Sequence, residues 1–332
     1  MMKKSFILCL VCFSTLFLKA QTASESSATD TTLIVFASDT QAPMWVETIL
    51  LKQHDNRKAT KKVFNDIEKL RPGSVFLLGD VVNLGYSNRQ WKPMDAYLRN
   101  LREKGITVDA VLGNHEVMGQ PKVGEQKFQV RFPNHVRTGY VQIKDSVAIV
   151  LLNSNFKTLS KAEDAEQVAW YKKTLEQLDN DSAVQFIITT CHHSPFTNSK
   201  IVGSSKAVQD RFVTSFLGSK KSQLFLSGHC HGFEHYKIGG KDFMVIGGGG
   251  GLHQPLKQTG DILPDLAMDY KPLFHYLTVQ RNKDGLQVRS LGLKPDFAGF
   301  EEGLSLAIKK PVDASLASNS PGATTGSGSG KN

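Results

Sequence analysis

The chain has 332 residues, 40 Lys and Arg against 31 Asp and Glu, and a formal net charge of +9. That basic balance does not come from a nucleic-acid-binding surface: Lys157, Lys161, Lys172 and Lys173 are typical in being scattered, with no stripe of cations interleaved with aromatics. A mildly positive surface still favours an anionic substrate.

Residues 1–20 read as a signal peptide. Met1-Met2-Lys3-Lys4 precedes an apolar run from Phe6 to Leu18, and Lys19-Ala20-Gln21 offers a small residue for cleavage near Ala20. The run falls short of the roughly 18 to 20 residues that cross a bilayer, and no later segment is long and apolar enough to do so. The expected location is therefore exported, periplasmic or secreted. Cleavage removes Lys3, Lys4 and Lys19, taking the charge from +9 to +6, together with Cys9 and Cys12. Residues 21–30 form a linker and 31–310 one catalytic-sized domain. Residues 311–332, rich in Ser, Gly, Ala and Thr, read as a disordered tail.

Within the domain, Leu33–Ala37 is a short apolar run without polar alternation, the pattern of a strand buried on both faces. Helical spacing from Lys58 to Leu70 stops at Arg71-Pro72-Gly73, and Ser74–Leu78 is a second such strand. Arg89–Lys104 reads as a helix closed by Gly105, and Val108–Leu112 as a third strand. This βαβαβ order predicts a parallel sheet, with ligands at the carboxyl ends of its strands. A second cycle follows: strand Val147–Leu152, helix Ala162–Leu178, strand Val184–Thr190, helix Ala207–Leu217 and strand Gln223–Leu226. Beyond it, Phe233–Ile238, Lys241–Ile246, Phe274–Gln280 and Leu286–Leu291 are short strands joined by hairpin-type turns. Gly247–Gly251 lacks the Lys-Ser/Thr of a phosphate loop and reads as a tight turn.

Five motifs stand where strands end: Ser38-Asp39-Thr40-Gln41, Gly79-Asp80-Val81-Val82-Asn83, Gly113-Asn114-His115-Glu116, Cys191-His192-His193 and Gly228-His229-Cys230-His231. Singly, Gly-Asp and Gly-Asn-His suit ordinary turns and paired His suit a core. In this order and at these positions they supply oxygen and imidazole ligands for two divalent ions, of which Mn, Fe, Zn or Ni match the donor set. A carboxylate that bridges two ions offsets their repulsion, and Asp80 is the best placed for it. Asp39 and His231 complete one ion; Asn114, His192 and His229 complete the other, since alternate residues of an extended His229-Cys230-His231 face different ions. Two such ions activate water for attack on a phosphate ester. His115, beside a ligand, is placed to protonate the leaving oxygen. Gln41, His193 and His235 are further candidates, as ligands or as groups behind them, although His235 equally suits a strand surface. Cys191 and Cys230 each abut a ligand His; export permits a bridge between them, while neighbouring strands could point them apart.

On these motifs, and on their flanks Ala169-Trp170, Pro195-Phe196 and Phe233-Glu234-His235, the chain resembles the calcineurin-like metallophosphoesterases, and within them bacterial proteins related to purple acid phosphatases. The resemblance spans Leu33 to Leu291. It implies an α/β fold, a four-layer α/β/β/α sandwich of two mixed sheets with a dinuclear centre at one edge. It also implies the ligand sets just given and a catalytic role for His115. Two positions depart from the pattern: Gln41 stands where many members have His, and Asn83 stands where purple acid phosphatases have Tyr, so the purple-type phenolate ligand is absent.

The function expected from these residues is an exported metal-dependent phosphohydrolase acting on a small-molecule phosphomonoester. A phosphodiesterase or nucleotide pyrophosphatase could use the same centre, with specificity in loops such as Met44–Asp55 and Gly119–Tyr140. A non-catalytic binding protein that has lost one metal is the reading from another class, motivated by Gln41 and opposed by His115 and the downstream ligands.

Overall fold

The computed structural model describes residues 29–310; the expected leader and tail lie outside the described residues. In chain order the main elements are β1 (Asp30–Ala37), α1 (Asn56–Leu70), β2 (Pro72–Leu77), α2 (Asn88–Glu103), β3 (Thr107–Ala110), α3 (Asn114–Val117), α4 (Pro121–Arg131), β4 (Tyr140–Lys144), β5 (Val147–Leu151), α5 (Lys161–Asn180), β6 (Phe186–Cys191), α6 (Lys206–Val208), α7 (Thr214–Gly218), β7 (Ser222–Ser227), β8 (Phe233–Ile238), β9 (Lys241–Ile246), β10 (His275–Arg281), β11 (Gly285–Leu293) and β12 (Phe300–Lys309).

The strands form two six-stranded sheets, ordered β12-β11-β10-β1-β2-β3 and β4-β5-β6-β7-β9-β8. Both are mixed. In the first, β1, β2 and β3 run parallel while β10 returns antiparallel beside β1. In the second, β5, β6, β7 and β9 are parallel and β4 and β8 are antiparallel edges.

Alternation along each strand assigns its two faces to different cores. Ile34 and Phe36 of β1 join Phe76, Ile149, Ile188, Leu226 and Leu277 in a core between the sheets. Val35 and Ala37 face the opposite way, onto Val63, Ile67, Trp91, Leu98 and Phe128 of α1, α2 and α4. Ala148 and Val150 of β5 do the same for the second sheet, packing on Tyr171, Leu175, Phe212 and Phe216. Burial on both faces is why β1, β2, β5 and β6 read as continuous apolar runs. The result is the four-layer α/β/β/α sandwich.

Three elements carried weaker sequence signals. β4 and β12 are edge strands, and β12 buries little beyond its final turns, with Leu304, Leu306 and Ile308 at every second position facing the inter-sheet core. α4 has Pro121 at its start and only Gly124 and Phe128 buried, so its apolar period is faint. The segment expected as one helix from Ala207 to Leu217 is α6 and α7 joined by a π-turn over Gln209–Val213.

Candidate metal centre

The loops after β1, β2, β3, β6 and β7 meet at one edge of the sandwich. Their close approach dictates small residues: a Cβ on Gly113 would lie 2.1 Å from the Asp80 backbone nitrogen and Oδ1, and one on Gly228 would lie 1.9 Å from Ser38 Oγ and 2.4 Å from Asp39 Oδ2. Three candidate ligands occupy the left-handed region, Asp39 (φ 56°), Asp80 (φ 49°) and His229 (φ 67°). Such conformations cost on the order of 1–3 kcal/mol each and persist where surrounding contacts impose them. Here they turn the side chains out of the strand direction toward a common point.

Ligand atoms of Asp39, Asp80 and His231 lie within 4.8 Å of one another, as do those of Asp80, His192 and His229. Asp80 belongs to both groups. Asp39, Asp80, His192 and His231 are buried, while Asn114, His193 and His229 are partly exposed and form the open side.

The imidazoles are held by their far nitrogens. His192 Nδ1 donates to the Leu78 carbonyl at 2.9 Å, and His231 Nδ1 donates to the Leu252 carbonyl at 2.7 Å. A carbonyl only accepts, so each Nε2 presents a lone pair inward when the ring is neutral. That lone pair meets oxygens: His192 Nε2 lies 3.2 Å from Asp80 Oδ2 and 3.0 Å from Asn114 Oδ1, and His231 Nε2 lies 3.3 Å from Asp39 Oδ1. Acceptors facing acceptors need a positive charge between them, from a proton or a metal ion.

The proton affinities follow. Burial disfavours a charged His192, but the Asp80 carboxylate outweighs it and raises the ring from 6.5 to about 9. His231 is raised in the same way, burial being outweighed by Asp39. Burial also opposes ionisation of Asp80, yet His192 and His115 pull its carboxyl well below the usual range. His229 is driven far below 6.5 by burial and by His192 and His193, which leaves it a neutral donor, as metal ligation requires.

Gln41 provides a further test of fit. Its side chain is 1% exposed, and both Oε1 and Nε2 are buried without a hydrogen-bond partner. A buried amide left so costs roughly 1–3 kcal/mol, whereas an amide oxygen is an acceptable ligand for a hard cation, and Gln41 follows Asp39 by two residues. The orphaned amide, the converging acceptors and the mixed O/N donors therefore fit a pair of divalent ions.

His115 is 7% exposed. Its Nδ1 donates to the Asn83 carbonyl at 3.1 Å and its backbone N–H donates to Asp80 Oδ1 at 2.9 Å, leaving Nε2 3.8 Å from Asp80 Oδ2. Asn83, at the position of the purple-type Tyr, thus orients His115 through its backbone.

The remaining candidates have partners of their own. His193 Nδ1 pairs with Ser154 Oγ at 2.8 Å, and burial together with His192 lowers it to about 3; its ring lies 4.5 Å from that of His229. His235 Nε2 pairs with Asp242 at 2.9 Å. Cys191 and Cys230 are free and buried, with Cys191 Sγ donating to the His193 carbonyl. Burial pushes the Cys230 thiol up to about 12, so it is not a thiolate.

Glu116 is a residue whose importance the sequence did not disclose. Fully buried, it accepts the backbone N–H groups of Asp80 (2.9 Å), Gly113 (2.8 Å) and Val82 (3.0 Å). Burial and the Asp80 charge raise it to about 7 despite those bonds. Its sequence signal was an acid directly after Gly-Asn-His, which capping alone could explain.

Among solved structures, the chain is similar to a purple acid phosphatase from yellow lupin (Lupinus luteus) seeds, with 14% identity and a TM-score of 0.61 over 83% of this chain and 53% of that one. The chain thus spans about half of the lupin enzyme. It is similar at 14% identity and a TM-score of 0.61 to GAP50, the anchor in the inner membrane complex of Plasmodium, over 85% of this chain and 90% of that one. A dimetal phosphatase from Danio rerio aligns at 13% identity and a TM-score of 0.51, over 85% and 99%. At these identities the likeness is one of fold. No curated protein matches the sequence. The family model described as calcineurin-like phosphoesterase matches residues 32–233 and so encloses every candidate ligand from Asp39 to His231. The chain belongs to the calcineurin-like phosphoesterase family.

Proposed function

We propose that this phosphoesterase is an exported, dinuclear phosphohydrolase that cleaves a small-molecule phosphomonoester. The observation that carries the reading is the sharing of Asp80 between two convergent ligand groups. Asp39, Asp80 and His231, with Gln41 beside them, would hold one divalent ion; Asp80, Asn114, His192 and His229 would hold the other. The ions, when bound, polarise the phosphate and lower the pKa of water so that attack on phosphorus proceeds at neutral pH.

The chain's own groups do the rest. Leu78 and Leu252 carbonyls fix the tautomers of His192 and His231, so their Nε2 atoms face the carboxylates. Partly exposed Asn114 and His229 leave the centre open on one side, where the ester enters. Asn83 fixes His115 with Nδ1 protonated and Nε2 inward. As the imidazolium, with Nδ1–H held by the Asn83 carbonyl, the ring carries a second proton on Nε2 that it can deliver to the leaving oxygen.

Export is inferred from the basic, apolar and small-residue pattern of residues 1–20 alone. Among the described residues no helix is long and apolar enough to cross a membrane.

The test is hydrolysis of p-nitrophenyl phosphate and bis-p-nitrophenyl phosphate by purified protein, with Asp80→Ala and His229→Ala alongside. The monoester should be the better substrate and both substitutions should abolish its turnover. Activity surviving both would reject the centre; preference for the diester would move the assignment to a phosphodiesterase.

A further inference from the structure

A cavity of about 270 Å³ lies against the segments that follow Asp39 and Asp80 in the chain, lined by Thr40, Val81, Val82, Asn83, Arg57, Arg89 and their neighbours but by none of the candidate ligands themselves. Its floor is the continuation of the ligand loops: Thr40 follows Asp39, and Val81 to Asn83 follow Asp80. Thr40 Oγ1 donates to the Val81 carbonyl at 3.2 Å, tying the two loops together there. The volume lies below the roughly 300–1,000 Å³ of sites for drug-sized ligands, so it suits a fragment rather than a nucleoside.

Its walls are positive. Arg57 and Arg89 are the second residues of α1 and α2, which both open with Asn-Arg. Neither first turn contains an acidic residue, and neither cap side chain bonds the free N–H groups. Helix N-termini favour anions. No Asp or Glu lines the cavity. Unlike Arg131, Arg137 and Arg211, which pair with Asp95, Glu125 and Asp164, Arg57 and Arg89 form no ion pair among the described residues.

A second, independent feature is Asn83. It is 5% exposed, lines the cavity, and its Oδ1 is buried without a partner. An acceptor in that position calls for a donor from a ligand.

We infer that this cavity is a specificity subsite for the leaving group, and that the preferred substrates are phosphate esters whose leaving group carries a second anion, a phosphate or a carboxylate, with a hydroxyl between. Arg57 and Arg89 clamp the anion and Asn83 Oδ1 accepts from the hydroxyl. The inference rests on the phosphohydrolase reading and names its substrate class.

Two measurements test it on the intact protein and on Arg57→Gln/Arg89→Gln. The first is kcat/KM for glycerol 3-phosphate, glycerol 1,3-bisphosphate and 3-phosphoglycerate. The second is calorimetric binding of propylphosphonate, propane-1,3-bisphosphonate and 4-phosphonobutyrate, which cannot be hydrolysed. The native protein should favour a probe with two anionic groups over its singly substituted analogue by about tenfold or more, and the double variant should bring that ratio to near one. The better of the phosphate and carboxylate arms identifies the second anion. A native ratio near one, or a ratio unmoved in the variant, overturns the subsite. Collapse of the binding ratio without turnover of any ester upholds the subsite and rejects the hydrolytic reading. Turnover of p-nitrophenyl phosphate with an unmoved ratio does the reverse.

Discussion

Glu116 Oε2 accepts the backbone N–H of Asp80 at 2.9 Å, so a buried acid 36 residues downstream sets the peptide that carries the shared candidate ligand. The same oxygen takes the N–H of Gly113 and the other takes that of Val82. Gln cannot replace it, because an amide turns an NH2 group toward at least one of these donors. Glu116→Gln should lower stability by about 1.5–3 kcal/mol and metal affinity by roughly 10–100-fold. Denaturant unfolding and metal titration check this; two unchanged values would show that the loops hold their geometry without the carboxylate.

His115 should matter to chemistry more than to binding. Its Nε2 is free and 3.8 Å from Asp80 Oδ2, while its Nδ1 is spent on Asn83. His115→Gln is expected to lower kcat for alkyl phosphates by about 10²-fold or more with metal content retained. The loss should shrink for p-nitrophenyl phosphate, whose leaving oxygen needs no proton. Equal losses on both esters would assign His115 to holding the phosphate instead.

The glycine of the third motif is predicted to be irreplaceable for a steric reason. A methyl on Gly113 would stand 2.1 Å from Asp80, whereas one on Gly203 meets nothing within 4 Å. Gly113→Ala should destabilise by about 1–3 kcal/mol or more and weaken metal binding. Gly203→Ala should do neither, and a melting comparison of the two decides.

His275 predicts part of the pH dependence. It is fully buried, neither ring nitrogen has a partner, and burial, with help from His253 and Lys271, lowers it from 6.5 to about 3. The unfolded chain therefore binds this proton more tightly than the folded one. The contribution is fully present above pH 6.5 and is lost as pH falls toward 3, by up to about 1.4 kcal/mol per unit. His275→Leu should flatten the decline in unfolding free energy between pH 6.5 and 4. An unaltered slope would place the acid sensitivity elsewhere.

Legibility in the sequence followed burial and local signal. β1, β2, β5 and β6 were readable because both faces are apolar, and the five motifs because each interrupts such a strand abruptly. β12 was missed although Leu304, Leu306 and Ile308 alternate, since its other face, with Gly303, Ser305, Ala307 and Lys309, is exposed and lacks β-branched or aromatic residues. The candidate ligands are short-range patterns; what sorts them into two groups is long-range, such as the approach of His229 to Asp39 across 190 residues. Glu116, Arg57 and Arg89 could not be singled out for the same reason, because a buried acid that collects N–H groups and an unpaired arginine at a cavity look like ordinary charges in a string of letters.

The central claim, that Asp80 joins two ion sites, is tested most directly by metal stoichiometry. Elemental analysis of the purified protein after loading with Mn or Zn and removal of excess should give two ions per chain. His231→Ala and His229→Ala should each retain one, and Asp80→Asn should retain at most one weakly held ion. Two ions in Asp80→Asn, or a single ion in the unaltered protein, would contradict the account.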